Sequence, residues 1–325
     1  MKKLIQKIAY IFRGLLGINK LTFKIDSLKN EMTTQNYRLN KEIKSQTYQL
    51  NKAISYIQHL NIENNKIKES IIFQNFHEII SLFSPMDISN ATYRRVGRDY
   101  DGGYVMLDDF SSDNTDAAYS FGISDDVSWD EEIAKLGINI FMYDHTIYKL
   151  PKENKHFKFF KQGVTGKPEV GLETLSNLIA INGHEQSDNL IMKMDIEGYE
   201  WSVFEETKSE VIGQFSQIVI EFHGLSPHKS KESLSRISYV LNKINQTHQS
   251  VHVHANGHTE VNWLGDWAIP QLLEVTYIRR KDYQDRFIKN TRSFPTKIDQ
   301  PTFPWLPEVP LGRFSTEYES ILFNK

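Results

Sequence analysis

The 325-residue sequence contains no cysteine. A disulfide framework, a thiolate metal site and a thiol nucleophile are therefore excluded, and any metal chemistry has to use oxygen or imidazole ligands. The absence suits a reducing cytoplasm, the expected location. Long apolar runs are missing as well. The uncharged stretches of the opening MKKLIQKIAYIFRGLLGINK are too short to cross a bilayer, and no small-residue cleavage site follows them, so neither a spanning anchor nor a secretory signal is expected. The dinucleotide fingerprint G-x-G-x-x-G is also lacking where it would matter: one glycine, Gly122, follows the first strong strand pattern.

What is present is a hydrophobic content of 39%, enough for a sizeable core, and a net charge of −3 that hides an asymmetry. Residues 1–70 carry 13 Lys/Arg against 5 Asp/Glu, and the rest carries 25 against 36. A basic stalk precedes an acidic body, and an acidic body argues against wrapping nucleic acid. In the first twenty residues Leu4, Ile5, Ile8, Ile11, Phe12 and Leu15 recur at helical spacing with Lys2, Lys3, Lys7 and Arg13 among the other positions. A basic amphipathic helix over 1–20 follows, with peripheral contact to a membrane surface or packing on protein as its two uses.

Residues 21–72 change to a seven-residue repeat. Ile25, Met32, Leu39, Ala53, Leu60 and Ile67 share one register and Ile43, Leu50, Ile57 and Ile71 the other, interrupted by Asn36, Gln46 and Asn64. This predicts a coiled-coil stalk and hence a homo-oligomer.

From 73 to 285 short apolar strands alternate with helical segments. The strands are AAYSFGI (117–123), INIFMYD (138–144), HFKFFKQGV (156–164), LIMKMDI (190–196), SQIVIEFHG (216–224), SVHVHANG (250–257) and EVTYIRR (274–280). Helical stretches at 128–137, 172–183 and 230–245 lie between several of them. Such alternation predicts an α/β domain with a mostly parallel sheet covered on both faces. The Pro-rich segment 286–325 has no periodicity and reads as an extension wrapping the body.

In such sheets ligands bind beyond the strand carboxyl ends, so strand ends are the informative places. The first strand ends in Phe121-Gly122-Ile123-Ser124 and leads to Asp125. The second ends in Asp144, about twenty residues on, the spacing at which a carboxylate meets the two hydroxyls of an adenosine ribose. On the fourth, Lys193, Asp195 and Glu197 alternate to one face before Gly198 bends the chain into a helix with Trp201, Val203 and Phe204. Glu200 reads as an acidic residue of the first helical turn.

The phrase KMDIEGYEW resembles the K-x-D-I-E-G-x-E signature of the FkbM-like methyltransferases, and RVGRDYDGGYVM (95–106), HANGH and LLEVTYIRR resemble a related bacterial branch. The resemblance covers roughly residues 90–282. It implies a doubly wound, Rossmann-like seven-stranded sheet and S-adenosylmethionine as cofactor. Position by position it implies that Phe121, Gly122, Ser124 and Asp125 approach the methionine part, that Asp144 holds the ribose, and that Asp101, Gly102, Gly103 and Tyr104 form a loop closing the methionine side. Asp195 would lie by the sulfonium and the substrate hydroxyl. The acceptor class implied is a carbohydrate, polyketide or lipid-linked hydroxyl, hence O-methylation and glycan modification.

Among histidines, His223 is the expected base, with His254 next, and Asp195, Glu221 and His223 form the ligand set if a divalent cation is bound. His252 shares a strand face with His254, and His258 follows in a loop. Trp201, Trp263 and Trp267 are candidate sugar-stacking surfaces, with Asn256, Asn262 and Asp266 as polar acceptor groups. Two other readings compete. A metal-dependent nucleotide-sugar glycosyltransferase would use Asp195-Ile196-Glu197 or Asp108-Asp109, and a coiled-coil scaffold would carry a degenerate enzyme body.

Overall fold

The strands Ala117–Phe121 (β1), Ile140–Tyr143 (β2) and Leu190–Met194 (β4) are buried along their whole length. Continuous apolar runs of this kind form where a sheet is covered on both faces. The computed structural model describes residues 1–62, 76–264 and 267–314. Phe157–Phe160 (β3), Phe215–His223 (β5), His248–Ala255 (β6) and Leu272–Arg279 (β7) complete a seven-stranded sheet in the order β6-β7-β5-β4-β1-β2-β3. All neighbours are parallel except β7, which runs antiparallel to β5 and β6. All seven strands read from the sequence are sheet members, and the doubly wound expectation holds. The strand order reverses between β1 and β4.

Alternate residues of each strand feed two cores. Tyr119, Phe121, Met192 and Met194 pack with Leu178, Val203, Phe204 and Leu241 from the helices Leu175–Ile181, Glu200–Glu206 and Lys231–Thr247. Ala118, Ile191 and Val219 pack on the other face with Trp129, Ile133 and Ala134 of the helix Ser128–Lys135. Tyr104 and Met106 join that core from a hairpin pairing Tyr93–Val96 with Tyr104–Leu107. Each fully buried Phe, Leu or Met contributes roughly 2 kcal/mol of apolar transfer. Ser230 starts the longest of these helices by accepting from the Ser233 amide.

The chain divides into two compact units, Met1–Asn51 and Lys52–Lys325. One helix, Lys2–Ile62, runs through the expected boundary at residue 20 without a break. Ile25, Met32, Leu39, Ile43 and Leu50 of the repeat are exposed in the single chain. Asn64, Ile67, Ile71, the boundary at 72 and Asp266 lie outside the described residues, as do the side chains of Arg13, Leu15, Ile57, Leu60 and Trp267. Residues 286–314 of the expected extension pack on the body, with Phe287–Lys289 antiparallel to Met86–Ile88 and Phe294 buried.

Candidate active site

The carboxyl ends of β1, β2 and β4 open onto a cavity of about 560 Å³ at the point where the strand order reverses, the position that chain topology favours for a ligand. Of the residues expected there, Asp101, Gly102, Tyr104, Gly122, Ser124, Asp125, Asp144 and Asp195 line it. Phe121 and Gly103 do not. Phe121 points into the core, stacked at 5.4 Å on Tyr143. Gly103 is set by packing, since a Cβ there would lie 2.2 Å from the Arg98 carbonyl oxygen.

The turn after β1 is forced into the left-handed region, with φ of 76° at Gly122 and 50° at Ser124. A Cβ on Gly122 would sit 1.6 Å from the Asp195 carbonyl oxygen, so only glycine lets β1 and β4 end this close together. Buried Lys193 donates to the Gly122 carbonyl at 2.6 Å. Asp144 braces the same turn. Its Oδ2 accepts from the Ile123 and Ser124 amides at 2.9 and 2.8 Å, and its Oδ1 from the Thr146 amide and hydroxyl at 2.7 and 2.6 Å. A carboxylate offers about four acceptor positions, and here all four are filled from within the protein. Asp144 lies in the cavity wall where the ribose-holding residue was expected, and in this arrangement its carboxylate braces the turn. Burial pushes its pKa up, but these hydrogen bonds outweigh burial and hold the carboxyl below its ordinary value.

β4 ends at Met194, and Glu197 has φ of 56° in a turn, so the expected alternation of Lys193, Asp195 and Glu197 on one strand face is not what the chain does. The turn instead folds back on Glu200, which has no solvent exposure. Glu200 Oε1 accepts from the Ile196 and Gly198 amides at 3.0 and 3.2 Å and lies 3.0 Å from His223 Nδ1. His223 Nε2 then faces Glu197 at 3.4 Å and Asp195 and Glu221 at 3.8 Å each. Burial opposes protonation of His223, but Glu200, Asp195 and Glu197 together raise its pKa. The Tyr104 hydroxyl donates to Asp195 Oδ2 at 3.4 Å. Burial raises the pKa of Asp195 against Lys193 and His223, and that of Glu221 is raised well above its ordinary value by burial and by Asp195 and Glu274. One ligand atom from each of Asp195, Glu197 and His223 lies within 4.8 Å of the others, a spacing that suits a divalent cation. The set read from the sequence had Glu221 in place of Glu197.

His254 does not join this group. Its Nδ1 is 3.0 Å from Glu274 and its Nε2 3.0 Å from Glu308, so both ring nitrogens are occupied and it holds the extension to the sheet. That removes it as an alternative base. His252 pairs through Nε2 with Asp299 at 2.8 Å, and the His258 ring meets Phe303 edge-on. Asn256 supports Glu221 at 3.1 Å. Trp201 is buried with its indole donating to the His223 carbonyl, and Trp263 packs on the core, so neither presents a free stacking face. Asp109 is held by Gln217, and neither Asp108 nor Asp109 lines this cavity. Sequence reasoning missed Glu200 as the partner of His223. Its signal was the third carboxylate of DIEGYE.

Residues 111–257 match the family model described as the methyltransferase FkbM domain. This segment is an FkbM-like methyltransferase domain. Gly122, Asp144, Asp195, Glu200 and His223 all fall inside the matched residues, whereas Asp101–Tyr104 precede them. No curated protein matches the chain.

Proposed function

We propose that the domain binds S-adenosylmethionine in the cavity and methylates a hydroxyl oxygen of a carbohydrate or other hydroxyl-bearing small molecule. The bound cofactor supplies a methyl group on a cationic sulfonium. The cavity suits it in size and charge: small-molecule sites span roughly 300–1,000 Å³, and Asp101, Asp125 and Asp195 line a wall favouring cationic sulfur and ammonium centres.

The observation that carries the reading is the Glu200–His223 contact. His223 itself is not in the cavity lining, but with Nδ1–H donated to Glu200 its Nε2 faces the lining residues Glu197 at 3.4 Å and Asp195 at 3.8 Å, beside which an acceptor hydroxyl would lose its proton as its oxygen takes the methyl group. Methyl transfer otherwise asks for alignment, which the braced turn and the Asp101–Tyr104 loop supply.

Titration calorimetry with S-adenosylmethionine tests the cofactor, and transfer of isotope-labelled methyl to a panel of sugars and glycosides tests the acceptor. Binding together with label in an alkali-stable ether supports the reading; absence of binding rejects it. A chelator arm addresses the Asp195, Glu197 and His223 set: activity lost to chelator and restored by magnesium or manganese would replace the imidazole base with a metal-bound hydroxyl.

A further inference from the structure

The methyltransferase site makes no use of the pattern at the start of the first helix. Every charged residue between 2 and 24 is Lys or Arg, the first acidic residue being Asp26. Within the helix Lys2–Ile62, Leu4, Ile5, Ile8, Ile11, Phe12 and Leu16 are exposed, at 64, 61, 47, 57, 62 and 62%. At a helical 100° per residue these six fall in one arc of about 140°, and Lys2, Lys3, Lys7, Lys20 and Lys24 all fall outside it.

Width and charge choose the occupant. An apolar arc this broad exceeds the narrow two-position seam of a coiled coil, which begins only with the seven-residue spacing of Ile25, Met32 and Leu39. A second copy of residues 2–24 would set like charges side by side. A layer of anionic lipid headgroups offers the opposite charge for the lysines and an apolar layer beneath for the leucines, isoleucines and Phe12. No described helix is long and apolar enough to cross a membrane, so the segment has to lie flat. We propose that residues 2–24 bind along the surface of an anionic bilayer, with the Leu4–Phe12 face sunk about 5–10 Å to the acyl boundary.

The test is co-flotation of the full chain with phosphatidylcholine vesicles, with and without phosphatidylglycerol. The expected result is binding to the anionic vesicles. Lys3→Glu/Lys7→Glu and high salt should each weaken it by about 10-fold or more, and Ile8→Glu/Phe12→Glu should abolish it while the melting temperature of the body stays unchanged. A Phe12→Trp probe should blue-shift on binding. Failure to bind, or equal binding of wild type and the Lys variant to neutral and anionic vesicles, overturns the proposal. So does a lipid-free assembly, seen by light scattering, that Ile8→Glu/Phe12→Glu dissolves in a chain that ignores vesicles, since the occupant would then be a second copy.

Discussion

His223 Nδ1 lies 3.0 Å from Glu200 Oε1, and this contact ties the end of β5 to the first turn of the helix that follows β4. The carboxylate oxygen is fixed by the Ile196 and Gly198 amides as well, so it holds the imidazole in one orientation. A neutral His223 donating to Glu200 then carries its proton on Nδ1 and turns the Nε2 lone pair toward Glu197, 3.4 Å away, and Asp195 and Glu221, each 3.8 Å away.

His223→Ala should lower turnover by about 100-fold while leaving S-adenosylmethionine affinity within about threefold. Glu200→Gln should cost about 10-fold and move the acid limb of the rate profile to lower pH, because Glu200 is the largest of the groups raising the His223 pKa. A loss of rate with an unmoved limb would reduce Glu200 to a structural residue, and wild-type turnover in His223→Ala would remove the base assignment.

Asp144 separates two roles. As a brace for the Ile123–Ser124 turn, its replacement by Ala breaks four hydrogen bonds to a buried carboxylate, at a cost of about 2 kcal/mol or more. The ligand-free protein should then melt about 5 °C lower or more, and cofactor affinity should fall about 10-fold with the distorted cavity. An unchanged ligand-free melting temperature with weakened binding would favour the direct ribose contact.

The sequence made the seven sheet strands legible because each is a short apolar run closed by Gly, Asn, Asp or a charged residue. It did not reveal that β7 runs against its neighbours, since strand direction is decided by pairing partners far along the chain. Asp195 and His223 were legible as strand-end residues. Glu200 was not, because an acidic residue in a first helical turn has an ordinary dipole explanation, and only the fold brings it against a histidine 23 positions away. His254 looked available because its partners lie on a neighbouring strand and in an extension without periodicity.

Gly122→Ala should be among the most damaging single changes in the domain. The left-handed φ of 76° costs an alanine about 1 kcal/mol or more, and the added methyl would sit 1.6 Å from the Asp195 carbonyl oxygen, which forces β1 and β4 apart at the cavity. A melting temperature at least several degrees lower and loss of cofactor binding are expected. Retention of both would mean that the two strand ends separate freely.

His254 gives stability a pH dependence of known sign. Burial lowers its pKa, but Glu274 and Glu308 outweigh burial and keep the ring protonated up to about 10. The unfolded value is about 6.5. A folded value above the unfolded one contributes stability that is complete below about pH 6.5 and is lost as pH rises through about 10. His248 has the opposite sign: burial pushes it down to about 4, so its contribution is complete above about pH 6.5 and lost as pH falls through about 4. His254→Gln should therefore be less stable than wild type by about 3 kcal/mol at pH 6.5, with the gap narrowing steadily toward pH 10. His248→Phe should instead flatten the acid side, between about pH 6.5 and 4, without affecting the alkaline slope. Urea midpoints of the three proteins across this range check both. A gap between wild type and His254→Gln that stays constant from pH 6.5 to 10 would mean that the Glu274–His254–Glu308 bridge does not hold the proton.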